Sequence, residues 1–114
     1  MKELITVDDV NKACKNKCVV LIYMDNCPYC VRFKPVFEKF SKICKLAIKT
    51  YSIERNSPGF SQISKMSPEG KIYMFPSILI FCKNNSSVAS IQLSGSQTLQ
   101  DLIKHSLDSC QPIY

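Results

Sequence analysis

Cys27-Pro28-Tyr29-Cys30 constrains this chain more than any other segment. The motif lies between an apolar run, Val19-Val20-Leu21-Ile22-Tyr23-Met24, and a helical pattern from about Val31 to Lys45. A C-x-x-C at a strand-to-helix junction is a redox pair held at a helix N-terminus. Residues three apart are neighbours on a helix, so both sulfurs share one face. That separation suits a disulfide of normal geometry. Pro28 falls where the first helical turn tolerates proline, because that N–H has no intrahelical partner. The orphan N–H groups and the helix dipole favour a thiolate at Cys27, and the thiolate is the nucleophile.

The pattern around this motif predicts an α/β chain. Leu4 to Val7 reads as a short first strand, and Asp8 or Asp9 as the cap of a helix ending near Lys15. Cys18 to Met24 reads as a central strand buried on both faces. The next helix carries Phe33, Val36, Phe37, Phe40, Ile43 and Cys44 as one apolar stripe. Arg32, Lys34, Lys39 and Lys42 cover much of the rest, and Pro35 is expected to kink the helix. Leu46 to Ile53 reads as another strand, and Ser57-Pro58 as the start of a helix to about Met66. Ser77 to Phe81 and Val88 to Leu93 form a hairpin about the turn Lys83-Asn84-Asn85-Ser86. Thr98 with Asp101 resembles a capping box, opening a last helix with the stripe Leu99, Leu102, Ile103 and Leu107. The order β-α-β-α-β-α-β-β-α predicts a central mixed sheet of four to five strands flanked by helices. At 114 residues the chain suffices for one domain, 1–114.

Composition removes several functions. With 46% hydrophobic residues the chain is not disordered by composition. Its apolar runs of about six residues are too short to span a bilayer, so no membrane role is expected. The start, Met1 to Asp9, has no long apolar stretch and is acidic, unlike a signal peptide. A reducing, cytoplasmic compartment is therefore expected. Lysine, asparagine, isoleucine and serine are abundant, which suits an AT-rich genome. For a viral source the compartment becomes the host cytoplasm or the virion. The net charge of +6 rests on scattered lysines without interleaved aromatics. That describes a solvated surface, or one that steers toward acidic partners, rather than a nucleic-acid site.

Seven cysteines are many for a reducing compartment. Cys44 and Cys82 fall in apolar patterns and read as small core residues. Cys14 and Cys18 sit at element ends and read as free thiols, although they are close enough to pair. Cys110 lies in the tail, where exposure is expected. Cys14, Cys18, Cys27 and Cys30 are spaced C-x₃-C-x₈-C-x₂-C, which superficially offers a tetrathiolate zinc site. A strand between Cys18 and Cys27 would hold them roughly 25–30 Å apart if extended, which opposes that alternative. His105, near the end of the last helix, reads as a dipole-favoured surface residue rather than a base.

These residues resemble the thioredoxin superfamily over nearly the whole chain. The likeness rests on Cys27-Pro28-Tyr29-Cys30, on Pro35 five residues past the second cysteine, and on Phe75-Pro76-Ser77 before an apolar strand. The last is similar to the family's cis-proline loop, which faces the active site. Gly95, before the last helix, also fits. The Pro-Tyr dipeptide is that of many glutaredoxins, whereas thioredoxins carry Gly-Pro. Asn26 stands where thioredoxins place a tryptophan, and Leu21 where they bury an aspartate. The glutathione-binding places of glutaredoxins read here as Phe75-Pro76 and Ser94-Gly95-Ser96-Gln97-Thr98, a poor match.

The resemblance implies a thiol–disulfide oxidoreductase with Cys27 as nucleophile and Cys30 as resolving thiol, the two forming the redox-active disulfide. Tyr29, Phe75 and Pro76 are the implied substrate contacts. Neither metal nor cofactor is implied. The implied partners are protein disulfides, with a reductase or glutathione as electron source, and the chain is expected to be a monomer. The alternatives are a glutathione-dependent, glutaredoxin-like reductase and a non-catalytic adaptor, which an intact C-x-x-C argues against. Thioredoxin sits near −270 mV and glutaredoxins at roughly −200 to −230 mV, a gap of about 2–3 kcal/mol for two electrons. The Pro-Tyr dipeptide argues for the less reducing end.

Overall fold

The apolar run in the sequence is also the middle of the sheet. The computed structural model describes residues 2–44, 48–83 and 86–92. Its strands are β1 (Lys2–Leu4), β2 (Cys18–Tyr23), β3 (Lys49–Glu54), β4 (Ser77–Lys83) and β5 (Ser86–Gln92). They form one five-stranded mixed sheet in the order β1-β3-β2-β4-β5. β2 pairs with β3 in parallel, Val20 beside Tyr51, and with β4 antiparallel, Val20 beside Leu79. Three helices complete the described chain: α1 (Val7–Ala13), α2 (Pro28–Cys44) and α3 (Phe60–Met66).

Both faces of β2 are buried because successive side chains point to opposite sides. Val19 and Leu21 join Phe33, Phe37, Phe40 and Cys44 of α2 on one side. Cys18, Val20 and Ile22 join Val10 of α1 and Ile63 of α3 on the other. Phe37 and Phe40 are wholly buried, with ring centroids 5.6 Å apart. Within α2, Ser41 bonds through its hydroxyl to that of Thr50 on β3, so a buried polar pair is mutually satisfied.

Several expected boundaries move, each for a local reason. Thr6, not Asp8 or Asp9, caps α1. Its Oγ1 accepts from the Asp9 N–H at 3.0 Å, and the Asp9 carboxylate accepts from the Thr6 N–H at 3.1 Å. This capping box turns the chain early, so β1 ends at Leu4 and Ile5 is left exposed. Ile43, expected on the buried stripe of α2, is 61% exposed. It lies roughly 80° from Phe33 around the helix, at the stripe's edge. Pro35 does lie inside α2. Ser57-Pro58-Gly59 forms a turn before α3, the Phe60 N–H donating to the Ser57 carbonyl at 3.0 Å, so the helix starts at Phe60. β5 starts at Ser86, two residues before the expected Val88. The expected last helix with Thr98 and His105, and also Gly95 and Cys110, lies outside the described residues. Among those described, no helix is long and apolar enough to cross a membrane.

Candidate active site

Parallel pairing brings the C-terminal ends of β2 and β3 to one edge, and antiparallel β4 starts at that edge. The chain leaves β2 through Asn26, whose φ of 60° is left-handed. Asparagine is among the residues that best tolerate that region. The turn delivers Cys27 to the N-terminus of α2. The Val31 N–H donates to the Cys27 carbonyl at 3.0 Å, which makes Cys27 the cap residue. The Cys30 N–H donates to Cys27 Sγ at 3.3 Å. A sulfur thus takes the place of the oxygen that usually satisfies this orphan donor. Pro28 occupies the first helical position, as its missing N–H suits.

A loop closes over the sulfurs from the far side. The Phe75–Pro76 peptide is cis, and Cys27 Sγ meets the Phe75 carbonyl oxygen at 4.0 Å. Hydroxyls hold this loop in place. Ser67 Oγ donates to the Ser64 carbonyl at 2.7 Å, Ser64 Oγ accepts from the Ile72 N–H at 2.8 Å, and Ser77 Oγ donates to the Met74 carbonyl at 2.5 Å.

Both Cys27 and Cys30 are free thiols. A helix start would leave the Cys27 sulfur exposed and shield Cys30 behind the first turn, yet their exposures, 7% and 4%, are nearly equal. The reason is the loop: Phe75 covers the face of Cys27 that a bare helix terminus would leave open. Burial, seconded by the hydrogen bond to Cys27, pushes the Cys30 thiol up to about 11. Leu21 is buried in the apolar layer with Phe33 and Phe37. The way out from Cys30 is a shallow cleft of about 80 Å³, lined by Tyr23, Met24, Asp25, Asn26, Val31 and Lys34.

Of the expected substrate contacts, Tyr29 stands 61% exposed on the first turn of α2. Phe75 is half-buried against Phe60, their centroids 5.9 Å apart, and Pro76 is buried. Two residues were not singled out as part of the site. Arg32 places its guanidinium carbon 5.9 Å from the centre of the Tyr29 ring, and Arg55 places its own 5.7 Å from that of Phe75. A usable signal was present, since these are the chain's only two arginines among 15 cationic residues.

The other cysteines stay away from this edge. Cys14, at the end of α1, and Cys18, at the start of β2, are fully buried free thiols. They lie at the opposite end of β2 from Cys27, so the four cysteines of the zinc alternative are not brought together. Among the described residues no cluster of His, Cys, Asp and Glu is placed to hold a metal. Cys44 is a buried thiol in the core, as expected. Cys82 departs from that expectation: it is half-buried and disulfide-bonded.

The family model for thioredoxin matches residues 6–107. No curated protein matches the chain. Among solved structures, the thioredoxin of Malassezia sympodialis superposes with a TM-score of 0.77 at 19% identity, covering 97% of this chain and 91% of that one. Oxidised mitochondrial thioredoxin 3 of Saccharomyces cerevisiae gives 0.73 at 16%, covering 95% and 94%. Fasciola hepatica thioredoxin gives 0.66 at 14%, covering 94% and 95%. At these identities the likeness is one of fold.

Proposed function

Because this chain belongs to the thioredoxin family, a family of redox enzymes, we propose that it reduces or exchanges protein disulfides through the Cys27/Cys30 dithiol. The observation that carries this reading is the sulfur at the cap of α2, accepting the Cys30 N–H at 3.3 Å. An N–H aimed at sulfur stabilises negative charge there. Cys27, as thiolate, attacks one sulfur of a substrate disulfide. A new S–S bond forms, the old one breaks, and the first substrate thiolate leaves. Cys30 then loses its proton and attacks Cys27 Sγ, releasing the second thiolate and leaving a Cys27–Cys30 disulfide. Two electrons have passed from dithiol to substrate, and a reductase or glutathione restores them.

The proton on Cys30 is the demanding part. With Leu21 in the apolar layer, that proton leaves through the cleft beside Asp25 and Lys34 or onto the departing substrate thiolate. Tyr29 and Phe75 supply apolar contact beside the reacting sulfurs, and Pro76 holds the loop against them. A reducing compartment such as the cytoplasm suits an enzyme that works in this direction.

A trapping experiment tests the reading. Cys30→Ser keeps attack and loses resolution, so a covalent complex with a protein disulfide accumulates and dissolves in dithiothreitol. A trap formed by Cys27→Ser instead would reverse the two roles. Coupling wild-type protein separately to thioredoxin reductase and to glutathione with its reductase then identifies the electron source. Turnover with glutathione alone would favour the glutaredoxin-like alternative, whose motif is the Pro-Tyr dipeptide.

A further inference from the structure

The two arginines of this chain flank the dithiol, one on each aromatic residue that borders it. Arg55 follows β3, and its backbone N–H donates to the Tyr23 carbonyl at 2.8 Å, which fixes it at the active-site edge. Its Nη1 donates to Met24 Sδ at 3.5 Å, a weak acceptor. A guanidinium has five N–H donors, so most of this one stays available to a partner. Arg32 is exposed on α2, two residues past Cys30.

Neither guanidinium is neutralised by a described carboxylate. The ion pair among the described residues is Lys12 with Asp8, on α1. Glu54, next to Arg55 in sequence, turns its carboxylate to the Asn56 N–H at 2.7 and 3.1 Å. Asp25 lines the cleft that Lys34 also lines. The guanidinium carbons lie 5.9 and 5.7 Å from the centres of rings that border the dithiol, and a ring face accepts few of their N–H donors. Those donors match the two oxygens of a carboxylate, a match lysine cannot make.

We infer that Arg32 and Arg55 select the substrate: an extended protein segment with acidic side chains near its reactive disulfide. This rests on the dithiol reading and adds a specificity to it. The apolar faces of Tyr29 and Phe75 accept the segment beside its cysteine, and the two guanidiniums receive carboxylates flanking it. Rim charges act chiefly on the encounter rate, and salt screens them.

The test uses the full chain and matched peptide disulfides that differ only beside the cysteine: Asp/Glu, Asn/Gln, or Lys. In wild type the acidic peptide is reduced with the highest kcat/KM, about tenfold above its amide counterpart at low salt, and the gap narrows as salt rises. Arg32→Gln and Arg55→Gln each remove about threefold for the acidic peptide only, equivalent to about 0.7 kcal/mol per rim contact. The double variant reduces all three peptides at the rate of the amide peptide. Lysine at both positions restores the salt dependence and only part of the preference. Equal kcat/KM for acidic and amide peptides in wild type would overturn the inference while leaving the oxidoreductase reading intact. So would a preference that survives in the double variant. Glutathione disulfide reduced as fast as the acidic peptide, with the same dependence on both arginines, would assign the pair to glutathione and overturn it too. No turnover with any peptide would overturn both readings.

Discussion

Two pairs of closely spaced cysteines lie at opposite ends of β2, and their surroundings differ in sign. Cys27 and Cys30 open α2, where N–H groups point outward, and a backbone N–H reaches Cys27 Sγ. Cys14 closes α1, the end of a helix where carbonyls point outward, and Cys18 follows a short turn. An anion is favoured at the first place and disfavoured at the second. The Cys18 thiol is pushed far up, first by its hydrogen bond with Cys14 and then by burial. Spacing alone, C-x₂-C against C-x₃-C, does not distinguish these two settings. The helix end that each pair occupies does.

The contrast can be broken most decisively by deleting sulfurs. Cys27→Ser abolishes disulfide reduction altogether, whereas Cys14→Ser and Cys18→Ser keep turnover within about twofold, because neither touches the reacting atoms. Loss of activity in Cys14→Ser without loss of folding, read by turnover beside circular dichroism, would show that the buried pair participates.

Acidity gives a sharper and smaller measure. On the proposed mechanism resolution requires the Cys30 thiolate, and burial pushes Cys30 up to about 11. Single-turnover decay of the mixed disulfide therefore accelerates about tenfold per pH unit through the neutral range, a slope that follows from a group titrating above it. A flat profile would mean that another group takes the proton. Cys14 and Cys18 show no alkylation by iodoacetamide in this range until the protein is unfolded, as mass spectrometry of the labelled peptides would reveal.

The smallest effect concerns the cap of α1, the helix that ends at Cys14. Thr6→Ala removes the capping oxygen and costs about 1 kcal/mol of stability, measured by urea denaturation, with catalysis unchanged. Asp9 belongs to the same box, and backbone N–H groups, that of Thr6 foremost, hold its carboxyl below the usual carboxylate range. A lowered folded-state pKa contributes stability above the unfolded value of about 3.9 and loses it as pH falls through the folded value. The stability difference between wild type and Asp9→Asn accordingly shrinks below pH 4.

Most of the sheet was legible in the sequence because β2 is apolar on both faces, a pattern that only a central strand sustains. The dithiol was legible because C-x-x-C abuts that strand, and Phe75-Pro76 because it precedes a second apolar run. Where reading failed, non-local or subtle chemistry had decided. The capping box displaced β1 through a threonine standing between two apolar residues, Ile5 and Val7. Ile43 looked like core because period alone does not tell the middle of a stripe from its edge. The near-equal burial of Cys27 and Cys30 depends on Phe75, 48 residues from Cys27, and no local pattern carries that. Arg32 and Arg55 are 23 positions apart and meet the site only through folding.

Gly59 joins the two helices on the face opposite α2. Its N–H donates to the Ile5 carbonyl at 2.8 Å, and a Cβ there would stand 2.6 Å from the Thr6 carbonyl oxygen and 2.9 Å from Val10 Cγ2. The start of α3 is thus pressed against the start of α1 with no room for a methyl group. In the language of local unfolding, α1 and α3 form one opening unit, because neither can leave its place without releasing this shared junction. The helix that carries the dithiol lies on the other side of the sheet and is no part of that unit. Fluctuations that expose Val10 and Ile63 to solvent therefore leave the Cys30 N–H on Cys27 Sγ, within α2, but loosen the Phe75–Pro76 loop, which Phe60 and Ser64 of α3 hold.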